Sequence, residues 1–329
     1  MVDITIAIPT YNGEHRLPEL LERLRSQINI QDISCEVVVV DNNSRDDTAS
    51  VVQSYQSAFP YPLRYCLETR QGAAFARKRA VREANGHLVG FLDDDNLPSL
   101  TWVAEAYAFG QAHPEAGAYG SQIHGEFEVP PPANFERIRP FFAITERGSI
   151  PLRYEQNKLV LPPSAGLVVR KQAWLDNVPP QPILSGRVDD CMVTGEDLEA
   201  IIQIQRSGWE IWYNPRMELT HKIPRGRLDR AYLLSFFRGI GLSRCVVRML
   251  RYEPWQRPLM LGIYMLNDLR KIVSHLLKNH MAIKGDIVAA CELELFISSL
   301  ISPIYLLRKG YFRVKPIPVP SVNPKSALG

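Results

Sequence analysis

Short apolar runs alternate with amphipathic stretches along the first hundred residues. The runs are rich in β-branched side chains and end in polar turns: ITIAIPT (4–10), CEVVVVDN (35–42), PLRYCLE (62–68) and HLVGFLDDD (87–95). This pattern predicts four strands. Between them, 44–57 opens with Ser44 and Asp47 at the spacing of a capping box, and an earlier helical stripe is formed by Leu17, Leu20, Leu21, Leu24 and Ile28. The alternation predicts an α/β fold with a parallel sheet.

Polar residues end three of the predicted strands, at Thr10, at Asp41 and at the adjacent carboxylates Asp93, Asp94 and Asp95. Open parallel sheets bind ligands at the carboxyl ends of their strands, so we expect these side chains to converge. Neighbouring carboxylates repel one another, and an ordered cluster therefore favours a bound cation. The alternatives are a solvated acidic turn at 93–95 and a capping or turn role for Asp41.

A basic helical stretch, GAAFARKRA, begins at Gly72 and includes Arg77. Backbone N–H groups at the start of a helix attract phosphate, and nearby arginines would strengthen that attraction. A solvated basic helix face is the alternative interpretation.

Composition indicates a globular protein. The chain has 329 residues, of which 46% are hydrophobic, enough for one large core or two modest ones. Its five cysteines are far apart and form no CxxC pair, so we expect neither a disulfide framework nor a zinc site. The first apolar run is too short for a secretory signal. These features favour a cytoplasmic location.

Charge is distributed unevenly. Residues 1–221 contain 20 Lys and Arg against 29 Asp and Glu, whereas residues 222–329 contain 18 against 6. A basic segment on an acidic body is typical of contact with nucleic acid or an anionic membrane. Because the basic segment lacks a nucleic-acid motif, we expect no nucleic-acid partner and favour peripheral contact with the inner face of the plasma membrane.

The basic segment is predicted to be helical. The stretch 259–277 is amphipathic, and 287–307 is long enough to cross a bilayer but carries Glu292, Glu294 and Pro303. The apolar stripe of 259–277 consists of Ile263, Leu266, Leu269, Ile272, Val273, Leu276 and Leu277. Three roles stay open: packing on the rest of the chain, forming a homo-oligomer, or lying at a membrane interface.

Taken together, four motifs resemble family 2 glycosyltransferases of the GT-A fold: AIPTYNG, VVVVDNNSRDDT, RQGAAFARKRAVREANGHLVGFLDDDN and GEDLEAIIQIQRSGWEIWYNP. The branch that acts in exopolysaccharide synthesis, including hormogonium-polysaccharide-type transferases, is the most similar. The resemblance implies a catalytic domain over 1–224, a mostly helical appendage over 225–329, a nucleotide-diphospho-sugar donor and inversion at the anomeric carbon.

The resemblance also implies a divalent cation, Mg²⁺ or Mn²⁺, held by hard ligands. Asp95 matches the direct metal ligand of the family. Asp93 matches a residue that reaches the ribose or a metal-bound water, and Asp94 is the middle position, whose role toward the donor is open. His221 stands where related enzymes place a third metal ligand, although a lone histidine is as often structural.

Further matches concern the donor and the reaction. Pro9 and Thr10 match the loop that lines the base and ribose, Asp41 matches the residue that accepts from the base, and Arg77 matches an arginine on the helix before the acidic motif. A carboxylate such as Asp41 can accept a hydrogen bond from the imide N–H of uracil or thymine, which favours a pyrimidine nucleotide in the sugar donor. Arg225 and Arg227 follow the last predicted strand, where they can clamp the pyrophosphate.

The GED motif supplies the acid–base pair. By resemblance Asp197 is the general base that removes the proton of the acceptor hydroxyl, and Glu196 orients it or binds acceptor. The alternative is that both merely place negative charge at the N-terminus of a helix.

The expected activity is transfer of one sugar to a glycan or lipid-linked acceptor, because the QxxRW motif of processive synthases is missing. A sugar-phosphate nucleotidyltransferase and a non-catalytic nucleotide-sugar or glycan-binding protein are the alternatives. A nicotinamide dehydrogenase is disfavoured, because the first strand is followed by PTYNG and not by GxGxxG.

Overall fold

The computed structural model describes residues 2–156, 158, 160–186, 192–279 and 285–311. Its strands are β1 Ile4–Thr10, β2 Cys35–Asp41, β3 Leu63–Leu67, β4 Leu88–Phe91, β5 Asn96–Pro98, β6 Ala116–Phe127, β7 Leu152–Arg153, β8 Val168–Arg170 and β9 Glu210–Ile223. Its helices are α1 Leu17–Arg25, α2 Thr48–Gln56, α3 Ala73–Glu83, α4 Trp102–Ala112, α5 Lys171–Asn177, α6 Glu196–Arg206, α7 Arg230–Met249, α8 Arg257–Asn279 and α9 Ile287–Arg308.

The four strands predicted from the apolar runs form the parallel half of the sheet, in the order β3-β2-β1-β4. Strands β1, β2 and β4 are buried because each packs between helices on both faces, whereas the edge strand β3 is only partly buried. The prediction of a parallel sheet is confirmed for these four strands. Strand β8 runs antiparallel to β4, and the order continues β8-β6-β9-β5, so the sheet is mixed.

Two local predictions at helix ends also differ from the structure. The stripe from Leu17 to Leu24 is buried along α1, but Ile28 lies beyond the helix and is exposed. The predicted capping box of α2 does not form, because the hydroxyl of Ser44 accepts from the Asn12 backbone N–H at 2.8 Å instead. Asp47 is the N-cap residue, but its side chain makes no cap hydrogen bond.

The rest of the sheet, in which β6 and β9 are parallel and β8 and β5 run antiparallel to their neighbours, brings distant residues to the edge of the parallel half. Strand β4 ends at Phe91, so the carboxylates at 93–95 lie in the following turn. Strand β5 then pairs with β9 in a register that sets Asn96 opposite His221. Consequently His221, inside β9 and not after it, lies beside Asp95.

The C-terminal helices share a core with the segment that precedes β7. Helices α7 and α9 bury Leu233, Phe237 and Leu295 in one cluster with Phe135 and Ile138. Helices α7 and α9 also pack closely on each other, since a Cβ on Gly241 would lie 2.5 Å from Cβ of Ser298. The domain boundary between residues 224 and 225 stays a prediction. Helices α7 and α9, which follow it, pack against the preceding part of the chain.

Among the described residues, α9 is the helix long and apolar enough to cross a membrane by length and composition, and 44% of that apolar stretch is buried in the protein. Helix α8 is oriented unexpectedly. Its charged residue Asp268 is buried against Arg248, whereas the predicted apolar stripe points outward, apart from the half-buried Ile272. The stripe therefore does not cover the core of this chain.

Candidate active site

A cavity of about 1110 Å³ opens at the carboxyl ends of β1 and β4. It collects most of the residues singled out from the sequence, namely Pro9, Thr10, Arg77, Asp93, Asp94, Asp95, Glu196, Asp197 and His221. Residues more than a hundred positions apart therefore meet here, as the strand-end argument predicts.

Each carboxylate of the acidic cluster faces a different arginine. Asp93 lies 3.2 Å from Arg77, and Asp95 lies 2.7 Å from Arg227. Asp94 forms a two-pronged ion pair with Arg16, at 2.7 and 2.9 Å, and also accepts from the Thr10 hydroxyl at 2.5 Å. These separate partners offset the mutual repulsion of the three carboxylates.

Asp95 belongs to a tight arrangement with His221 and Arg227. The Nδ1 atom of His221 lies 2.8 Å from the Phe142 carbonyl oxygen, so we place its proton there. Its Nε2 is then an acceptor, 2.9 Å from Arg227 Nη1 and 3.6 Å from Asp95 Oδ2. Burial alone would raise the pKa of Asp95, but the positive charges of Arg227 and Arg16 oppose it and hold that pKa below its usual value.

The donor chemistry of this corner suits a divalent cation. The carboxylates of Asp93 and Asp95 and the Nε2 atom of His221 are ligands of the type that Mn²⁺ accepts. No ready cluster of three such ligands exists among the described residues, because the Arg227 guanidinium lies against both Asp95 and His221. The residues fit a metal once the Arg227 side chain turns away.

Arg77 connects the two acidic motifs. Its side chain is buried, with Nη1 2.8 Å from Glu196 and Nη2 3.2 Å from Asp93. Burial alone would lower the pKa of Arg77, but Asp93, Glu196 and Asp197 raise it. Arg77 Nε and Glu196 Oε2 are buried and have no hydrogen-bond partner among the described residues. The pair therefore retains hydrogen-bonding capacity beside the cavity.

Asp197 has the environment of a general base. Its carboxylate accepts from the Ser164 N–H at 3.1 Å and the Leu198 N–H at 2.8 Å, at the start of α6. Burial and the neighbouring Glu196 raise the pKa of Asp197, with Arg77 opposing them. A raised pKa makes the carboxylate a stronger proton acceptor near neutral pH.

Two expected donor-binding residues lie outside the cavity lining. Asp41 is buried, and its oxygens accept from the Ser44 N–H at 2.8 Å and the Tyr65 hydroxyl at 2.7 Å. Gly72 has φ +131° at the start of α3, and its N–H already donates to Asn42 Oδ1 at 2.7 Å. Their roles toward a nucleotide stay predictions, and the structure assigns both a part in shaping the loops around Asn42.

A further part of the cavity lining comes from the segment before β7. It combines Phe141, Phe142 and Ile144 with charged residues such as Arg147. The Phe142 carbonyl oxygen contacts His221, so this segment adjoins the acidic cluster.

Sequence reasoning missed two residues of the site. Arg16 lies at the start of α1, where a charged side chain indicates a solvated face, yet it pairs with Asp94. Ser164 contributes through its backbone N–H, which no side-chain pattern reveals. For Arg227, the sequence predicted a pyrophosphate clamp but not its contacts with Asp95 and His221. The sequence feature that placed it near the site was its position in a basic turn after β9, two residues beyond Arg225.

Comparison with known proteins agrees with this geometry. The model of the family described as Glycosyl transferase family 2 matches residues 5–171, about half of the chain. Over 101 residues the chain is 37% identical to an uncharacterized glycosyltransferase, YfnE, of Bacillus subtilis, a match that covers 31% of this chain and 25% of YfnE. It is 31% identical over 113 residues to the poly(ribitol-phosphate) beta-N-acetylglucosaminyltransferase TarS of Staphylococcus aureus, covering 34% and 20%. The chain thus matches only a quarter or less of the length of these relatives.

Solved structures show the same fold at low identity. The mannosyltransferase PcManGT from Pyrobaculum calidifontis, in complex with GDP-Man and Mn²⁺, aligns with a TM-score of 0.58 at 18% identity over 93% of this chain and 87% of its own. Residues 1–349 of TarS in complex with UDP align with a TM-score of 0.52 at 16% identity, covering 94% and 92%.

These likenesses confirm the predicted GT-A fold and its helical C-terminal region. The family match spans the acidic cluster and the strands that position it. The chain belongs to glycosyl transferase family 2.

Proposed function

We propose that this protein is an inverting glycosyltransferase that moves one sugar from a nucleotide-diphosphate donor to a hydroxyl group of an acceptor. One observation carries the proposal: a carboxylate of raised pKa, Asp197, faces the same cavity as the acidic cluster at 93–95. A proton acceptor and a group of carboxylates that can hold a cation against the diphosphate are the two elements that such a transfer needs.

The donor is proposed to be a UDP-sugar held at the acidic end of the cavity. Pro9, Thr10 and Asn42 line this end, and Asp41 supports the loop behind Asn42. The preference for uridine rests on the match of Asp41 to the base-binding residue, and TarS, a relative, has been crystallised with UDP. PcManGT carries GDP-Man, so a comparison of UDP with GDP binding tests the preference for uridine.

A divalent cation is proposed to bind Asp95, Asp93 and His221 after Arg227 turns away. When bound, it supplies positive charge to the diphosphate leaving group. Asp95 suits this role because its pKa is held low, so its carboxylate stays ionised at neutral pH. Arg227, displaced from Asp95, remains within the same turn and can add its charge to the diphosphate.

The acceptor hydroxyl is proposed to give its proton to Asp197 as its oxygen attacks the anomeric carbon. The nucleoside diphosphate leaves from the opposite face with the bonding electrons of the sugar–phosphate bond. The backbone N–H groups of Ser164 and Leu198 hold Asp197 in place, and Glu196, fixed by Arg77, lies beside it. Glu196 thus positions the base and keeps its pKa raised.

The acceptor is proposed to be a glycan or lipid-linked sugar in extracellular polysaccharide synthesis, met at the cytoplasmic face of the plasma membrane. Support comes from Phe141, Phe142 and Ile144, whose side chains give the cavity an apolar part beside the acidic cluster. TarS, by its name, also modifies a polymer, poly(ribitol phosphate).

The proposal is tested by measuring which phosphate product a panel of UDP-sugars releases in the presence of Mn²⁺, with water or added glycans as acceptor. We expect UDP to be released. In a separate assay with a sugar phosphate and UTP, release of inorganic pyrophosphate would instead identify a nucleotidyltransferase. Asp197→Asn should lower turnover by roughly 10²- to 10⁴-fold with UDP affinity unchanged. Asp176→Asn, on an exposed part of α5, is the matched control. Undiminished turnover in Asp197→Asn would remove Asp197 as the base.

A further inference from the structure

Helix α8 turns polar residues toward the protein and apolar residues toward solvent, the reverse of an ordinary surface helix. Its polar residues Asp268 and His275 are buried, 1% and 7% exposed. Asp268 pairs with Arg248 of α7, and His275 Nε2 lies 2.9 Å from the Ala289 carbonyl oxygen of α9. These contacts fix the rotation of α8, so the opposite side of the helix must face away from the protein.

That opposite side is apolar. Seven large aliphatic side chains are between 40% and 77% exposed, and we call this set the outer face of α8: Leu259, Ile263, Leu266, Leu269, Val273, Leu276 and Leu277. Their spacing of three, four and seven positions places them on one side of the helix. Monomeric soluble proteins rarely expose contiguous apolar patches of this kind, and such patches mark an interaction surface.

The charges around the outer face of α8 indicate which kind of partner it binds. Asp268 is the only acidic residue in the sequence of α8, and it is buried, whereas Arg270 and Lys278 are exposed beside the aliphatic side chains. Trp255, just before the helix, is 78% exposed. Tryptophan concentrates at membrane–water interfaces, and exposed basic residues are attracted to anionic lipid headgroups.

A second copy of this chain fits the same face less well. In a symmetric contact through the outer face, the arginines at 270 would approach each other with no acidic residue of α8 to pair with. An anionic bilayer satisfies both features, because acyl chains accept the aliphatic side chains while headgroups accept the arginine and lysine.

We propose that the outer face of α8 is a docking surface for anionic membranes, with the helix axis in the plane of the interface. Helix α7 joins this surface to the candidate active site, since Phe236 and Ile240 of α7 line the cavity and Arg248 of α7 holds α8. The inference rests on the orientation of α8 and stands whether or not the proposed reaction is correct.

The experiment is flotation of the full chain with phosphatidylcholine vesicles that contain or lack phosphatidylglycerol, at low and high salt. We expect the protein to float with the anionic vesicles at low salt. Leu266→Gln with Leu277→Gln should lower the partition coefficient roughly tenfold or more, since less apolar surface is transferred. Ile150→Gln is the matched control, because Ile150 is 75% exposed on the catalytic part and should not matter.

A second variant changes charge and leaves the aliphatic side chains untouched. Arg270→Gln with Lys278→Gln should lower binding to anionic vesicles roughly fivefold per charge and leave neutral vesicles unaffected. The proposal is overturned if the wild-type chain ignores anionic vesicles at low salt, or if the leucine variant floats as well as Ile150→Gln. It is also overturned if light scattering shows a dimer that the leucine variant separates without loss of vesicle binding.

Discussion

The buried ion pair between Arg248 and Asp268 should control the stability of the C-terminal helices. The two guanidinium nitrogens lie 2.5 and 2.9 Å from the two carboxylate oxygens, and Asp268 is 1% exposed. The guanidinium also stacks over the Tyr264 ring, 4.7 Å from its centroid. Removing one partner of such a pair leaves an uncompensated buried charge, which costs about 3–5 kcal/mol.

We therefore expect Arg248→Met to lower the free energy of unfolding by about that amount. The assay is urea denaturation followed by far-ultraviolet circular dichroism. The double variant Arg248→Met with Asp268→Leu should recover most of the loss, because two apolar side chains of similar volume can replace a buried pair. Arg153→Met is the control: its pair with Glu210 is largely exposed, so the expected loss is about 0–1 kcal/mol.

If Arg248→Met is as stable as Arg153→Met, the Arg248 side chain does not hold α8 in the orientation described. The outer face of α8 would then lose the contact that sets it toward solvent. A double variant no more stable than Arg248→Met would show that the loss came from packing against Tyr264 and not from the unpaired carboxylate.

Two further predictions concern the candidate active site. Because Asp197 must be ionised to accept a proton and its pKa is raised, turnover should fall with decreasing pH at a higher pH than an ordinary aspartate, near 3.9, would give. A pH–rate profile that stays flat down to about pH 4 would contradict this reasoning. Arg227→Gln should bind Mn²⁺ roughly tenfold more tightly in calorimetry without nucleotide, because a charge-assisted bond to Asp95 no longer competes. Arg225→Gln, in the same turn, should bind Mn²⁺ as the wild type does, and equal affinities in all three proteins would refute the competition.

The parallel half of the sheet was predictable from local pattern because β1, β2 and β4 are buried on both faces. A run such as VVVV at 37–40 is apolar without interruption and ends in a polar turn. The rest of the sheet was not predictable in the same way. Strand β6 pairs with β9 across about ninety residues, and the register of β5 on β9, which sets His221 beside Asp95, also depends on long-range pairing.

The residues of the site were predictable where chemistry leaves a dense local signal, as in the acidic cluster and the GED motif. Their partners were not, because the sequence presents Arg16 and Arg227 as ordinary surface charges. Their pairing with Asp94 and Asp95 exists only in the folded chain. The periodicity of α8 correctly predicted a helix but not its rotation. Two buried contacts, Arg248 with Asp268 and His275 with the Ala289 carbonyl oxygen, determine which side faces the core.

The central claim is that the acidic end of the cavity binds the nucleotide together with a cation. Calorimetric titration of UDP into the wild-type chain, in Mn²⁺ and then in EDTA, tests it most directly. We expect binding that depends on Mn²⁺, and we expect Asp95→Ala to lose that dependence, because Asp95 lies at the corner whose donors suit a cation. UDP binding of equal affinity in Mn²⁺ and in EDTA would contradict the account.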